Sequence, residues 1–138
     1  MKKLLIIFAI IILACTTTAC EALGRKDKPA ILFNRHPITE SNVMDMSSVF
    51  APGSRIYYLI LMPKTQNSRI LTIQIVKKGS REYLGYNLFM TRTVRLKDEE
   101  ERYFTDYIVI NEKGAYIMKV YSRDNPQKVL TQAEFYVQ

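Results

Sequence analysis

The segment Ile110–Val137, INEKGAYIMKVYSRDNPQKVLTQAEFYV, carries the clearest structural signal in the chain. Tyr116, Met118 and Val120 recur at every second residue, and so do Val129, Thr131, Ala133, Phe135 and Val137. A period of two places each set on one face of an extended strand, so each run predicts a strand with one buried face. In the last run Gln132 and Glu134 mark the opposite, wetter face. Asn111 to Gly114 and Arg123 to Lys128, the latter centred on Asp124-Asn125-Pro126, supply turn chemistry between the runs. With Arg102–Ile110 in front, the last third of the chain reads strand, turn, strand, turn, strand.

The same texture extends upstream. Ala30–Asn34 reads as a short first strand. Arg55–Met62, RIYYLILM, is apolar on both faces, as a central strand should be, and Pro63 ends it. Arg69–Val76 alternates, with Leu71, Ile73 and Ile75 on one side and Thr72 and Gln74 on the other. The run Lys77-Lys78-Gly79-Ser80-Arg81 that follows is read as a solvated turn. Glu82–Leu96 exceeds one typical strand, so a bulge or a change of sheet is expected at Gly85 or near Thr91-Arg92. Lys97–Glu101 is a charged connection, and Ile38–Gly53 is the longest loop. No stretch repeats apolar residues at helical spacing. The expected fold is therefore all-β, a single antiparallel two-sheet sandwich of about seven strands.

The N-terminus has a different character. Lys2 and Lys3 precede Leu4–Leu13, ten unbroken apolar residues. As a helix these would rise about 15 Å against roughly 30 Å of hydrocarbon, too short to span and of the right length for a signal-peptide core. The small-residue segment Ala14-Cys15-Thr16-Thr17-Thr18-Ala19-Cys20 follows. A cysteine after alanine at the end of such a segment resembles the lipobox of bacterial lipoproteins. The resemblance implies that the cysteine thiol takes a diacylglycerol, that the leader is cut before it, and that the new amino terminus is acylated. Cys20, after Thr17-Thr18-Ala19, is the lipid-attachment residue this implies, although Thr17 stands where a large apolar residue is usual. Cys15, after Ile12-Leu13-Ala14, is the alternative. The resulting organisation is a leader over residues 1–19, lipidated Cys20 and a polar tether over 20–28, and one domain over 29–138.

That placement leaves no thiol in the folded part, and the two cysteines have neither redox nor zinc-ligand spacing. Removing Lys2 and Lys3 lowers the formal charge from +7 to +5, with 18 basic against 13 acidic groups. The basic residues are scattered and form no single patch; the lipobox resemblance implies a membrane, reached through the N-terminal lipid, and another protein of the cell envelope as the expected partners. Glycan is an option and nucleic acid is not expected. The domain is expected in the bacterial cell envelope, facing the periplasm or the exterior.

A second resemblance rests on INEKGAYIM, Ile110–Met118. It looks like the tyrosine corner of immunoglobulin-like domains, in which a tyrosine after a glycine-bearing corner opens the penultimate strand. It implies an immunoglobulin-like or fibronectin type III-like sandwich in which Tyr116, following Gly114, sends its hydroxyl back to the backbone of Asn111–Lys113. Met118 stands where antibody domains place a cysteine, and the chain has no tryptophan. Close kinship with antibody domains is therefore excluded.

Catalytic chemistry finds little support. His36, in Asn34-Arg35-His36-Pro37, is the chain's only imidazole. Ser54, Ser80 and Ser122 sit in turn segments without a nucleophile-elbow context. Five isolated glycines make no phosphate loop. No enzyme activity, cofactor or metal is expected. Tyr121 and Tyr136 fall on the strand faces opposite Tyr116 and Phe135, and outward tyrosines there form the candidate binding surface. The expected function is a non-enzymatic binding or assembly module on the membrane. A glycan- or peptidoglycan-binding module, or an inhibitor of exported proteases acting through Ile38–Gly53, is the alternative.

Overall fold

Leu71, Ile73 and Ile75 are fully buried, while Thr72 and Gln74 between them are only partly so, as the alternation predicts. In the computed structural model, which describes residues 28–62, 68–79, 85–96 and 102–138, this strand is one of eight and no helix is present among them. The expected leader, Cys15 and Cys20, and most of the expected tether lie outside the described residues, as do Ser80-Arg81 and Lys97–Glu101.

The strands are β1 (Ala30–Asn34), β2 (Val49–Phe50), β3 (Arg55–Leu61), β4 (Ile70–Lys78), β5 (Tyr86–Arg95), β6 (Tyr103–Val109), β7 (Gly114–Ser122) and β8 (Asn125–Val137). They form a three-stranded sheet in the order β1-β3-β6 and a five-stranded sheet in the order β2-β8-β7-β4-β5. The protein is thus an all-β, two-sheet structure. Two expectations are corrected. There are eight strands, and the larger sheet is mixed, because β2 runs parallel to β8 with Val49 opposite Tyr136 and Phe50 opposite Val137. Short β2 was hidden inside Ile38–Gly53, since two residues cannot show a period.

The core lies between the sheets. Ile31, Phe33, Ile56, Tyr58, Ile60 and Ile108 from the smaller sheet meet Leu71, Ile73, Ile75, Val94, Tyr116, Met118, Val120, Phe135 and Val137 from the larger. Phe135 ties them together. Its ring lies 4.9 Å from that of Phe33 across the sandwich, 6.3 Å from Phe50, and stacks on Tyr116 at 5.5 Å and 14°. At the side where β5 and β6 approach, Arg92 Nη1 bonds Asp106 Oδ2 at 2.6 Å and bridges the two sheets.

Three local details differ from the sequence reading. The β5 irregularity falls at Phe89, because the register passes from Ile75 opposite Met90 to Val76 opposite Leu88 and leaves Phe89 as the extra residue. Its ring packs edge-on against Tyr116, 5.5 Å away, which neither Gly85 nor Thr91-Arg92 could do. Lys77 and Lys78 are the last residues of β4, not a solvated turn. They pair with Glu112 and Glu134, carboxylates 35 and 56 positions along the chain. The turn after β7 is only Arg123-Asp124, and Asn125 already lies opposite Ser122. Pro126 fits in β8 because residues 126–128 have no opposite number on β7, so its missing N–H is not needed.

Candidate binding surface on the five-stranded sheet

The corner before β7 shapes one end of the sheet. Gly114 has φ +155°, and a Cβ there would lie 2.6 Å from Lys77 Cε, so the lysine stem crosses the space a side chain would take. Two residues on, the Tyr116 hydroxyl donates to the Glu112 carbonyl at 2.7 Å. The ring itself is fully buried, and burial raises its pKa. Lys77 Nζ sits 5.8 Å above the same ring while pairing with Glu112, so glycine, tyrosine, lysine and glutamate hold the corner as one unit.

The outer face of the sheet follows from the alternation. Val76 on β4 and Ile117 on β7 point away from the core, lie opposite each other, and are nonetheless at most 9% exposed. Leu88 on β5 extends this apolar row to the sheet margin, opposite Val76, and is 62% exposed. Tyr86 beside it is 60% exposed and takes Lys119 Nζ at 5.4 Å from its ring centroid. At the other end of the row Glu134 lies opposite Ile117 and pairs with Lys78. The Lys78 hydrogen bond, and then that of Tyr136, hold the Glu134 carboxyl below its usual range. Reciprocally, Glu134 raises Lys78 and Tyr136. An apolar strip, open at β5 and framed by lysines and tyrosines, is a surface that can bury an apolar side chain and orient a polar one.

The two tyrosines singled out in the sequence share this face but are not brought together. Tyr136 lies opposite Ala115 and Tyr121 opposite Thr72, six positions apart along β7 and therefore about 20 Å apart. Tyr136 is tied into the Glu134 cluster, and both are only partly exposed. Sequence reading missed Tyr86, Leu88 and Lys119. The usable signal was the two-residue spacing of Tyr86 and Leu88, which puts both on one face of a strand.

The loop Ile38–Gly53 is folded back towards the end of β1. The buried Asn34 side chain donates to the Asn42 carbonyl at 3.1 Å and accepts from the His36 backbone N–H at 3.1 Å, which folds the segment back. Ile38 and Val43 then flank a groove of about 380 Å³ on the outer face of β3 and β6, floored by Leu59 and Leu61. Further along the loop, Val49 and Phe50 form β2. A second groove, about 490 Å³, lies between Arg35, Arg55 and the C-terminal Gln138. His36 is exposed and lines neither. Among the described residues no cluster of His, Cys, Asp and Glu could hold a metal ion, and no helix is long and apolar enough to cross a membrane.

No family model and no curated protein matches the chain. Among solved structures it is similar to the Pseudomonas fluorescens alkylpurine DNA glycosylase AlkC bound to DNA containing an abasic site analog, at 16% identity and a TM-score of 0.45. That likeness covers 83% of this chain and 32% of the other, so the chain spans about a third of its length. The sequence-based partner expectation is corrected at this point. The finding set against its exclusion of nucleic acid is this similarity to a DNA-bound protein. At this TM-score the likeness assigns no nucleic-acid site to this chain.

Proposed function

We propose that this chain is a lipid-anchored, immunoglobulin-like module that acts by binding and not by catalysis, and that it presents the outer face of its five-stranded sheet at the cell envelope. The observation that carries the reading is the apolar row from Ile117 through Val76 to the exposed Leu88, framed by Tyr86 and Lys119. An exposed apolar strip with a polar frame, at the margin of a rigid sheet, is the usual anatomy of a protein contact. The immunoglobulin-like reading is supported by the strand order, with β3 between β1 and β6 in the smaller sheet, and by Tyr116 bonding back to the corner at the start of the penultimate strand. Anchoring through Cys20 is supported by the leader and the small-residue segment before it. Two or more acyl chains hold a protein stably to a bilayer where one holds it marginally.

The test is affinity capture of the full-length, C-terminally tagged chain from membranes, wild type against Leu88→Asp. The reading expects a recurrent species to be retained by the wild type and lost at least tenfold in the variant, with unchanged thermal stability. Equal retention by both would remove the surface from consideration.

A further inference from the structure

The larger sheet ends at β5, a ten-residue strand whose second edge has no neighbour among the described residues. Such an edge offers a row of unpaired N–H and C=O groups, and proteins blunt long ones with charged side chains, lysine above all, with proline, bulges or cover. β5 contains neither lysine nor proline, carries one bulge and two arginines, and all but two of its residues are exposed. The other sheet margins are less available. β2 has two residues and β1 five, against ten in β5, and β6 is bridged to β5 by Arg92 and Asp106.

Which residues of β5 direct their backbone groups to the free edge can be worked out. Along a strand, successive residues turn their N–H and C=O alternately to one side and the other. Leu96 donates its N–H to the Arg69 carbonyl at 2.8 Å, on the β4 side. Residues 94, 92 and 90 therefore also face β4, and Arg95, Thr93 and Thr91 face the edge. At the other end the Gly85 carbonyl accepts from the Gly79 N–H, so Tyr86 and Leu88 face the edge as well. Phe89, the bulge residue, absorbs the change of phase between the two sets.

This set is self-complementary. We propose that β5 is a homodimerisation edge, pairing antiparallel with β5 of a second copy about a two-fold axis at Thr91 and joining two five-stranded sheets into one of ten. In that register Thr91 faces its own symmetry mate, Leu88 faces Thr93 of the second copy, and Tyr86 faces Arg95 of the second copy. Each edge-directed residue meets another edge-directed residue, and each opposed pair shares the outer face, with Phe89 bulged in both strands. A neighbouring register, displaced by one residue, would set edge-directed groups against groups already committed to β4. The charges agree with the choice. The only charged side chains on β5 are Arg92 and Arg95, and neither meets a like charge. Arg95 faces a tyrosine ring, which suits a guanidinium, and Arg92 is already paired with Asp106. Tyr86 and Leu88 belong both to this edge and to the strip proposed above, so in the dimer the strip continues onto Arg95 and Thr93 of the second copy.

The register can be tested by disulfide trapping in the full chain. Cys15→Ser and Cys20→Ser remove both native thiols, after which single cysteines are introduced and oxidised in detergent. Opposed residues in a hydrogen-bonded antiparallel pair have Cα atoms about 5.5 Å apart, within disulfide reach. Thr91→Cys should give a species of twice 16.1 kDa on a non-reducing gel. Thr93→Cys alone places its two thiols on Cα atoms about 14 Å apart, and should give at least tenfold less. Leu88→Cys combined with Thr93→Cys should restore cross-linking, and adding Thr91→Lys to that pair should reduce it at least tenfold. Absence of the Thr91→Cys dimer would overturn the proposal, and so would equal cross-linking from Thr93→Cys alone.

Discussion

Tyr58 offers the sharpest energetic test of the core. It lies on the inner face of β3, fully buried, and its hydroxyl has no hydrogen-bond partner. Burial pushes its pKa from 10.0 up to about 12. The Arg92 guanidinium pulls the other way, but its approach falls short of a well-formed hydrogen bond. Below pH 10 the phenol is neutral in both folded and unfolded chains, and its contribution does not vary with pH. Above pH 10 the unfolded chain loses this proton first, so the unfolded state binds fewer protons and stability falls as pH rises towards the folded value. Two pKa units correspond to about 3 kcal/mol when the fall is complete, and about 2 kcal/mol is lost by roughly pH 11.5. Tyr58→Phe removes both the titration and an unpaired buried hydroxyl. It should leave stability at about pH 7 unchanged or raised by ~1 kcal/mol, against the loss of ~1 kcal/mol usual when a hydrogen-bonded hydroxyl is deleted. Urea denaturation of wild type and variant at the two pH values isolates the effect, because all other titrating groups are shared. The variant should lose about 2 kcal/mol less than wild type between them. A variant less stable than wild type by more than ~1 kcal/mol at about pH 7, or parallel pH profiles, would refute the reasoning.

The remaining predictions concern the corner, the aromatic cluster and the surface pair. Gly114→Ala should cost about 1–3 kcal/mol in denaturant titration, since alanine resists the φ of +155° and its Cβ would displace Lys77. Phe135→Ala should cost about 3–5 kcal/mol, because the ring joins Phe33, Phe50 and Tyr116 across both sheets; Phe135→Leu should recover much of that. Glu134 has its carboxyl pKa lowered first by Lys78 and then by Tyr136. Its contribution is therefore complete above the ordinary carboxylate value of 4.5 and is lost as pH falls below it. Glu134→Gln should flatten that part of the acid limb of a thermal-stability profile, and an unchanged limb would show that the pair is not formed in solution.

Where alternation was strong, sequence and structure agree closely. Ala30–Asn34 is β1 to the residue, and Leu71, Ile73 and Ile75 take the buried face of β4 as their spacing dictates. The features that escaped depend on residues far away in the chain. β2 is two residues long and exists because the end of β8, more than eighty residues later, offers it a parallel partner. Lys77 and Lys78 look like a solvated turn until Glu112 and Glu134 are brought beside them. The bulge settles at Phe89 because the Tyr116 ring, on a strand that β4 separates from β5, supplies an aromatic contact. The candidate surface was half legible for the same reason. Face assignment by period two correctly turned Tyr121 and Tyr136 outward, but only the β7–β8 register shows that they sit at opposite ends. Only the sheet order makes β5 a margin and exposes Leu88 and Tyr86.

The compartment decides which partners this surface can meet, so the state of the N-terminus tests the functional account most directly. The measurement is the mass of the N-terminal peptide of the chain purified from membranes of cells expressing it from Met1. The account predicts a peptide beginning at Cys20 and carrying at least two acyl chains. A peptide that begins at Met1, or one that begins at Cys20 without lipid, would contradict it.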